Sequence, residues 1–343
     1  MNKLLALGIV HVILLLCFQS AHCATAPAFL EKLPFTIDRW SVMPPTPVTY
    51  YPDRGERFPY QIRYAEISPS GKYLLTIRIG LNVLDQLFDI YKIGDGSRIV
   101  SPGIEINQNE LRTVVWDPAD EDFIFTVLNK ENGNGETQAI IMHQRLDGLT
   151  QQRLSLETEN AQLVDVSNDG KWVLAYVTPY SPTETVPATN GKYVMISSGN
   201  PSTRKDADWA KTSPRMSPNL QLAAGDDGQI LSLFNRQTAR LIRIFSVGQT
   251  MLLNPEQLES ISAGITRGPW WLPDSTGVLF NVSSVQKGNK GVETLWFVNT
   301  NGEVHLVTTG VLILAHSENG RYWLLTSDDK WYVVTAKSSE TGK

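Results

Sequence analysis

Six positions at intervals of about fifty residues carry the side chains of greatest chemical promise: Glu66, Val115, Asp165, Arg215, Trp270 and Ala315. Two carboxylates, a guanidinium and an indole gathered around one axis suit a cation, a small ligand or a peptide from a partner. A solvated channel with mutually compensating charges would use the same residues. Metal-assisted hydrolysis needs several Asp, Glu or Asn from different segments to converge on one point. Glu66 and Asp165 are the metal candidates, and they are the only acids among the six positions.

Other chemistry is thinly represented. The sequence holds no Gly-x-Ser-x-Gly elbow, His-Glu-x-x-His pair, phosphate-binding loop or EF-hand loop. Beyond the first 23 residues, its histidines are His143, His305 and His316, each in or beside a strand-like run, where a structural role is the expectation. Both cysteines, Cys17 and Cys23, fall in the first 23 residues, so a chain cut after Cys23 has neither disulfide nor thiol catalyst. No cofactor is expected.

The six positions are defined by a repeating turn. Ser68-Pro69-Ser70-Gly71-Lys72, Asp117-Pro118-Ala119-Asp120-Glu121, Ser167-Asn168-Asp169-Gly170-Lys171, Ser217-Pro218-Asn219-Leu220-Gln221, Leu272-Pro273-Asp274-Ser275-Thr276-Gly277 and Ser317-Glu318-Asn319-Gly320-Arg321 are variants of one pattern. Counted on the second residue of each, the steps are 49, 50, 50, 55 and 45. Pro presets φ early in such a turn, Gly tolerates positive φ later, and Ser hydroxyls bond nearby backbone. An apolar residue two before the marker leads in, as Ile67 and Trp116 do, and a β-rich run such as Tyr73-Leu74-Leu75-Thr76-Ile77 leads out.

A second apolar run and a polar turn follow each exit, as in Phe88-Asp89-Ile90-Tyr91 before Gly94-Asp95-Gly96. A short fourth strand such as Arg98-Ile99-Val100 comes next. Six units of four strands make an all-β, six-bladed β-propeller. After the sixth turn only two further strand-like runs remain, so the last blade lacks its outer strand. Residues 35–42 are expected to supply it, closing the ring and covering a sheet edge.

This alternation resembles the repeat of the TolB-like propellers of Gram-negative periplasms, over roughly residues 60–336. The resemblance implies the propeller fold and an exported location. TolB itself carries an α/β domain ahead of its propeller, whereas here about forty residues separate the leader from the first blade, so TolB's partners are not carried over.

The expected organisation is a signal peptide over residues 1–23, an extended arm over 24–60, the propeller over 61–336 and a short tail over 337–343. A basic start, the apolar run of residues 4–18 and small residues near Cys23 read as a secretory signal, too short to span a membrane. The mature chain is then periplasmic, without a transmembrane segment. With 30 basic and 35 acidic residues the net charge is −5, and no basic run marks nucleic-acid binding.

Enlarged links at 129–136, 178–190 and 283–292 fall on one face, with a long link at 246–266 that holds the helix start Asn254-Pro255-Glu256-Gln257. Elaborate loops on a rigid frame are where binding residues gather. Tyr180, Asn134 and Lys287 from these links, with Arg215 and Trp270 from the inner register, are the expected binding residues. The reading that follows is an exported, non-catalytic scaffold that binds a protein partner in a cell-envelope assembly. The alternatives are a metal-dependent lactonase or hydrolase using Glu66 and Asp165, and a small-ligand or glycan binder using Trp270.

Overall fold

A computed structural model describes residues 26–43, 61–79, 86–99, 111–131, 137–147, 149–180, 191–210, 214–248, 260–286, 291–328 and 330–337. The chain divides into two compact units, Met1–Leu33 and Pro34–Lys343. In the first, the described residues form a short 3-10 turn at Leu30–Lys32. The second holds every strand of the described residues.

Strand β1 (Ile37–Met43) is followed by six sets of strands. The first blade holds β2 (Gln61–Ile67), β3 (Tyr73–Ile79), β4 (Gln86–Lys92) and β5 (Arg98–Ile99), and the second β6 (Leu111–Trp116), β7 (Phe123–Glu131), β8 (Thr137–Arg145) and β9 (Gln151–Arg153). The third holds β10 (Glu159–Val166), β11 (Trp172–Pro179), β12 (Lys192–Ser197) and β13 (Arg204–Asp206), and the fourth β14 (Arg215–Met216), β15 (Leu222–Asp226), β16 (Ile230–Asn235) and β17 (Leu241–Ser246). The fifth holds β18 (Ser260–Trp271), β19 (Gly277–Gln286), β20 (Gly291–Asn299) and β21 (Val304–Thr309). The sixth contributes β22 (Leu312–His316), β23 (Tyr322–Ser327) and β24 (Lys330–Ala336). Each set is one antiparallel four-stranded sheet in chain order, except that β1 takes the outer place of the sixth, giving β22-β23-β24-β1. Neighbouring blades touch all the way round: β2 meets both β6 and β22, β10 meets β8 and β14, β14 meets β18 and β22 meets β19, so the sheets form a six-bladed ring, with the N-terminal strand completing the last blade.

The closing strand is held in register from Ile37 opposite Ala336 to Met43 opposite Trp331. Met43 is fully buried, Phe35 stacks on Trp323 at 5.3 Å between ring centroids, and the Lys337 N–H donates to the Thr36 carbonyl at 2.7 Å.

The core lies between blades rather than in a single centre. One cluster joins Leu75, Ile77 and Ile90 of the first blade to Val114, Trp116 and Ile124 of the second. Similar clusters join the second to the third, the third to the fourth, the fourth to the fifth and the sixth to the first. Between the fifth and sixth, the buried Asn281 side chain bridges the gap: its amide donates to the Val311 carbonyl at 2.9 Å and its oxygen accepts from the Ile313 N–H at 3.0 Å.

The repeated turns owe their form to buried serines. Ser68, Ser167, Ser217 and Ser317 each accept the N–H five residues on, at 3.1, 2.9, 3.0 and 3.0 Å, from Tyr73, Trp172, Leu222 and Tyr322. These hydroxyls pin the turn to the start of the second strand, as their sequence context implies. The glycines of the turns have a second task besides positive φ. A Cβ on Gly71 (φ +74°) would collide with the Tyr322 ring of the sixth blade, and one on Gly170 (φ +68°) with Asp117 and Ala119 of the second.

Candidate functional site

The register three residues before each marker serves the joints between blades as much as the channel. Glu66 is 2% exposed, and its Oε2 accepts the Trp116 N–H of the next blade at 3.0 Å. Asp165 is 1% exposed, and its Oδ2 accepts the Met216 N–H, again one blade on. The Trp271 indole N–H donates back to the Arg215 carbonyl at 2.9 Å, and the Trp270 ring lies 6.2 Å from that of His316. In each pair a residue at the third position before one marker meets the second position before the next. Val115 and Ala315 are apolar members of inter-blade clusters.

The inner strands are also bulged. Pairing with the second strand slips between Leu163 and Asp165, between Ile313 and Ala315, and between Arg267 and Trp270. An extra residue leaves the ladder locally unpaired and bends the strand. In the sixth blade Leu312 and Leu314 line the channel pocket while Ile313 and Ala315 are buried.

Arg215 is the centre of a compact charge cluster. Its Nη1 lies 3.3 Å from Asp165 Oδ1 and 3.8 Å from Glu318 Oε1. Two carboxyl groups thus share one guanidinium. Burial raises the Asp165 pKa against the pull of Arg215 and the Met216 N–H. Glu318 is pushed up to about 8, first by burial and then by the Asp165 charge, with Arg215 opposing. His316 is pressed down to about 3 by burial and by Arg215. Glu318 escaped notice in the sequence, yet it left a signal: it is the one acidic residue at the marker position, where the other turns have Pro or Asn.

A cavity of about 530 Å³ opens beside this cluster, lined from the inner strands of the first, fourth, fifth and sixth blades and from β19 and β20 of the fifth. Arg215 and Trp270 line it as expected from the sequence, together with Arg267, Thr266, Ser283 and Glu293. Ser283 Oγ donates to Glu293 Oε1 and lies 3.1 Å from the Thr266 hydroxyl. Burial lowers the Arg267 pKa, with the Glu293 charge opposing. Gly268 (φ +109°) sets this wall, since a Cβ there would lie 3.0 Å from the Leu279 carbonyl and 3.1 Å from Phe280. The sequence hint was the 55-residue step into the fifth blade, which accommodates the 12 residues of β18.

The remaining expectations meet different outcomes. Tyr180 is half-buried just past β11, its N–H donating to the Thr158 carbonyl at 2.9 Å. Asn134, Lys287 and the helix start at Pro255 lie outside the described residues, as does the leader. The enlarged links prove partly to be strand: β7 and β8 pair as far as Glu131 and Thr137, and β19 and β20 as far as Val285 and Gly291. Residues 260–266, read as link, belong to β18. Among the described residues, no group of three or more His, Cys, Asp or Glu is placed to hold a metal ion, and no helix is long and apolar enough to cross a membrane.

Six four-stranded blades closed by an N-terminal strand define the class: an all-β, six-bladed β-propeller. No family profile matches the sequence, and no curated protein matches it. Among solved structures the chain is similar to a TolB candidate from Agrobacterium tumefaciens, with 14% identity, 83% of this chain and 93% of that chain covered, and a TM-score of 0.49. It is also similar to an oligogalacturonate lyase from Vibrio parahaemolyticus (11% identity, 80% and 89% covered, TM-score 0.38). A prolyl endopeptidase is matched at 10% identity over 81% of this chain and 48% of that one, with a TM-score of 0.44. The six-bladed assignment stands on the strand pairing itself.

Proposed function

We propose that this chain is an exported, non-catalytic propeller that serves as a scaffold in a cell-envelope assembly, docking a protein partner on the face opposite the repeated turns. The observation that carries the reading is the uneven height of the blades on that face. Strands β18, β19 and β20 run 12, 10 and 9 residues, against 2, 5 and 6 for β14, β15 and β16. At about 3.3 Å per residue, β19 is longer than β15 by roughly 17 Å, and the paired hairpin arms β7–β8 and β19–β20 both end on this face. Paired arms on a rigid ring present a shaped surface at a small ordering cost on binding. The two inner acids support the non-catalytic part of the reading, because each is engaged by a backbone N–H of the next blade. The basic, apolar and small-residue pattern of residues 1–23 supports export.

The test is a variant with the β19–β20 arm shortened by removing residues 285–291, tagged and purified from cells beside the unaltered protein. The reading expects an envelope protein to co-purify with the unaltered chain and to be lost from the variant at an unchanged melting temperature. Equal recovery with both would count against this face.

A further inference from the structure

Among the described residues, the channel cavity contains a guanidinium without a hydrogen-bond or ion-pair partner and a carboxylate with one oxygen unpartnered. Arg267 lines the cavity half-buried, and among the described residues no protein group accepts a hydrogen bond from its guanidinium or pairs with it. Glu293 lines the same cavity; Ser283 holds its Oε1, while its Oε2 is sealed from solvent without a hydrogen-bond donor. Withdrawing a charge from water without a partner is costly, and such groups commonly mark a site whose partner is a ligand. Arg215, the other cation on the wall, is already engaged by Asp165 and Glu318. It therefore competes poorly for an incoming anion.

The charge pattern selects among ligand classes. A bare anion on Arg267 would face the Glu293 carboxylate, and a bare cation on Glu293 would face the guanidinium. A zwitterion meets both. The rest of the wall combines an apolar part, Trp270, Leu312, Leu314 and Ala65, with the polar Arg215, Thr266 and Ser283, and the volume of about 530 Å³ falls in the range of small-molecule sites. We propose that this cavity binds a free α-amino acid with an apolar side chain. Its carboxylate lies on Arg267, its ammonium group on Glu293, and its side chain against Trp270 and the leucines. This site is independent of the protein-docking face and stands or falls separately from it.

Calorimetric titration of the purified protein with L-phenylalanine and L-leucine tests the assignment, with N-acetyl-L-phenylalanine and L-phenylalaninamide as blocked probes. Saturable binding of a free amino acid is expected, weakened at least about tenfold by either blocking group, because each leaves one buried charge unmet. Arg267→Gln and Glu293→Gln should each produce a loss of similar size, and the blocked probes give the answer even where a variant folds poorly. Absence of binding by both free amino acids at millimolar concentration would overturn the proposal. So would equal binding of either blocked form, which would mean that only one of the two charges is used.

Discussion

Glu318 keeps a proton at neutral pH first because it is buried and then because the Asp165 charge opposes its ionisation; Asp165 also has the closer approach to Arg215, 3.3 against 3.8 Å, and the Met216 N–H as well. With its pKa raised from 4.5 to about 8, the folded protein retains a proton that the unfolded chain has released. Its contribution to stability is therefore full below about pH 4.5 and declines as pH rises through 8. His316 works in the opposite window. Lowered from 6.5 to about 3, it stays neutral when folded, and stability falls as pH drops below 6.5 toward 3. Melting curves across pH 3–9 should show Glu318→Gln losing the decline on the alkaline side and His316→Phe losing part of the decline on the acid side. A Glu318→Gln profile parallel to that of the unaltered protein would refute the protonated assignment. Asp165→Ala removes the acceptor of the Met216 N–H and a partner of Arg215, and should cost about 3 kcal/mol in denaturant unfolding; Asp165→Asn, which keeps an acceptor, should cost less.

At the scale of the strand and turn, most of the architecture was legible. Ser, Pro and Gly at fixed offsets announce a turn because few other residues accept its dihedrals, and the missing outer strand of the sixth blade pointed to β1. The inner register was harder to read. The inner register turns out to serve the joints between blades, a relation across sheets that one strand's composition does not carry, and the bulges at Val164 and Leu314 are likewise a property of the pairing rather than of either strand. Arg267 and Glu293 were illegible for a related reason, since they line one cavity only because β18 and β20 are both long. The turn glycines give a clean test. Gly71→Ala forces a Cβ at positive φ into the Tyr322 ring and should cost about 2 kcal/mol or more. Gly94→Ala, with open space around the added carbon, should fall within about 0.5 kcal/mol of the unaltered protein.

The ring as a whole is a set of inter-blade joints, each built from an apolar cluster or from side chains of one blade bonded to the backbone of the next. Rigidity of this kind suits a molecule that presents surfaces, and the ring closes non-sequentially both where β1 completes the sixth blade and where the sixth blade packs on the first. Deleting residues through Met43 would bare the β24 edge and remove Met43 from the cluster joining the sixth and first blades. That variant should melt well below the unaltered protein and associate at concentrations where the parent is monodisperse, as read by calorimetry and light scattering. The most direct test of the scaffold reading is cross-linking in intact cells that make the protein at native level, followed by mass-spectrometric mapping of the links. The account predicts a stoichiometric envelope partner whose links concentrate on the ends of the β7–β8 and β19–β20 arms. Recovery of the protein alone, while a known envelope complex in the same cells is captured, would contradict it.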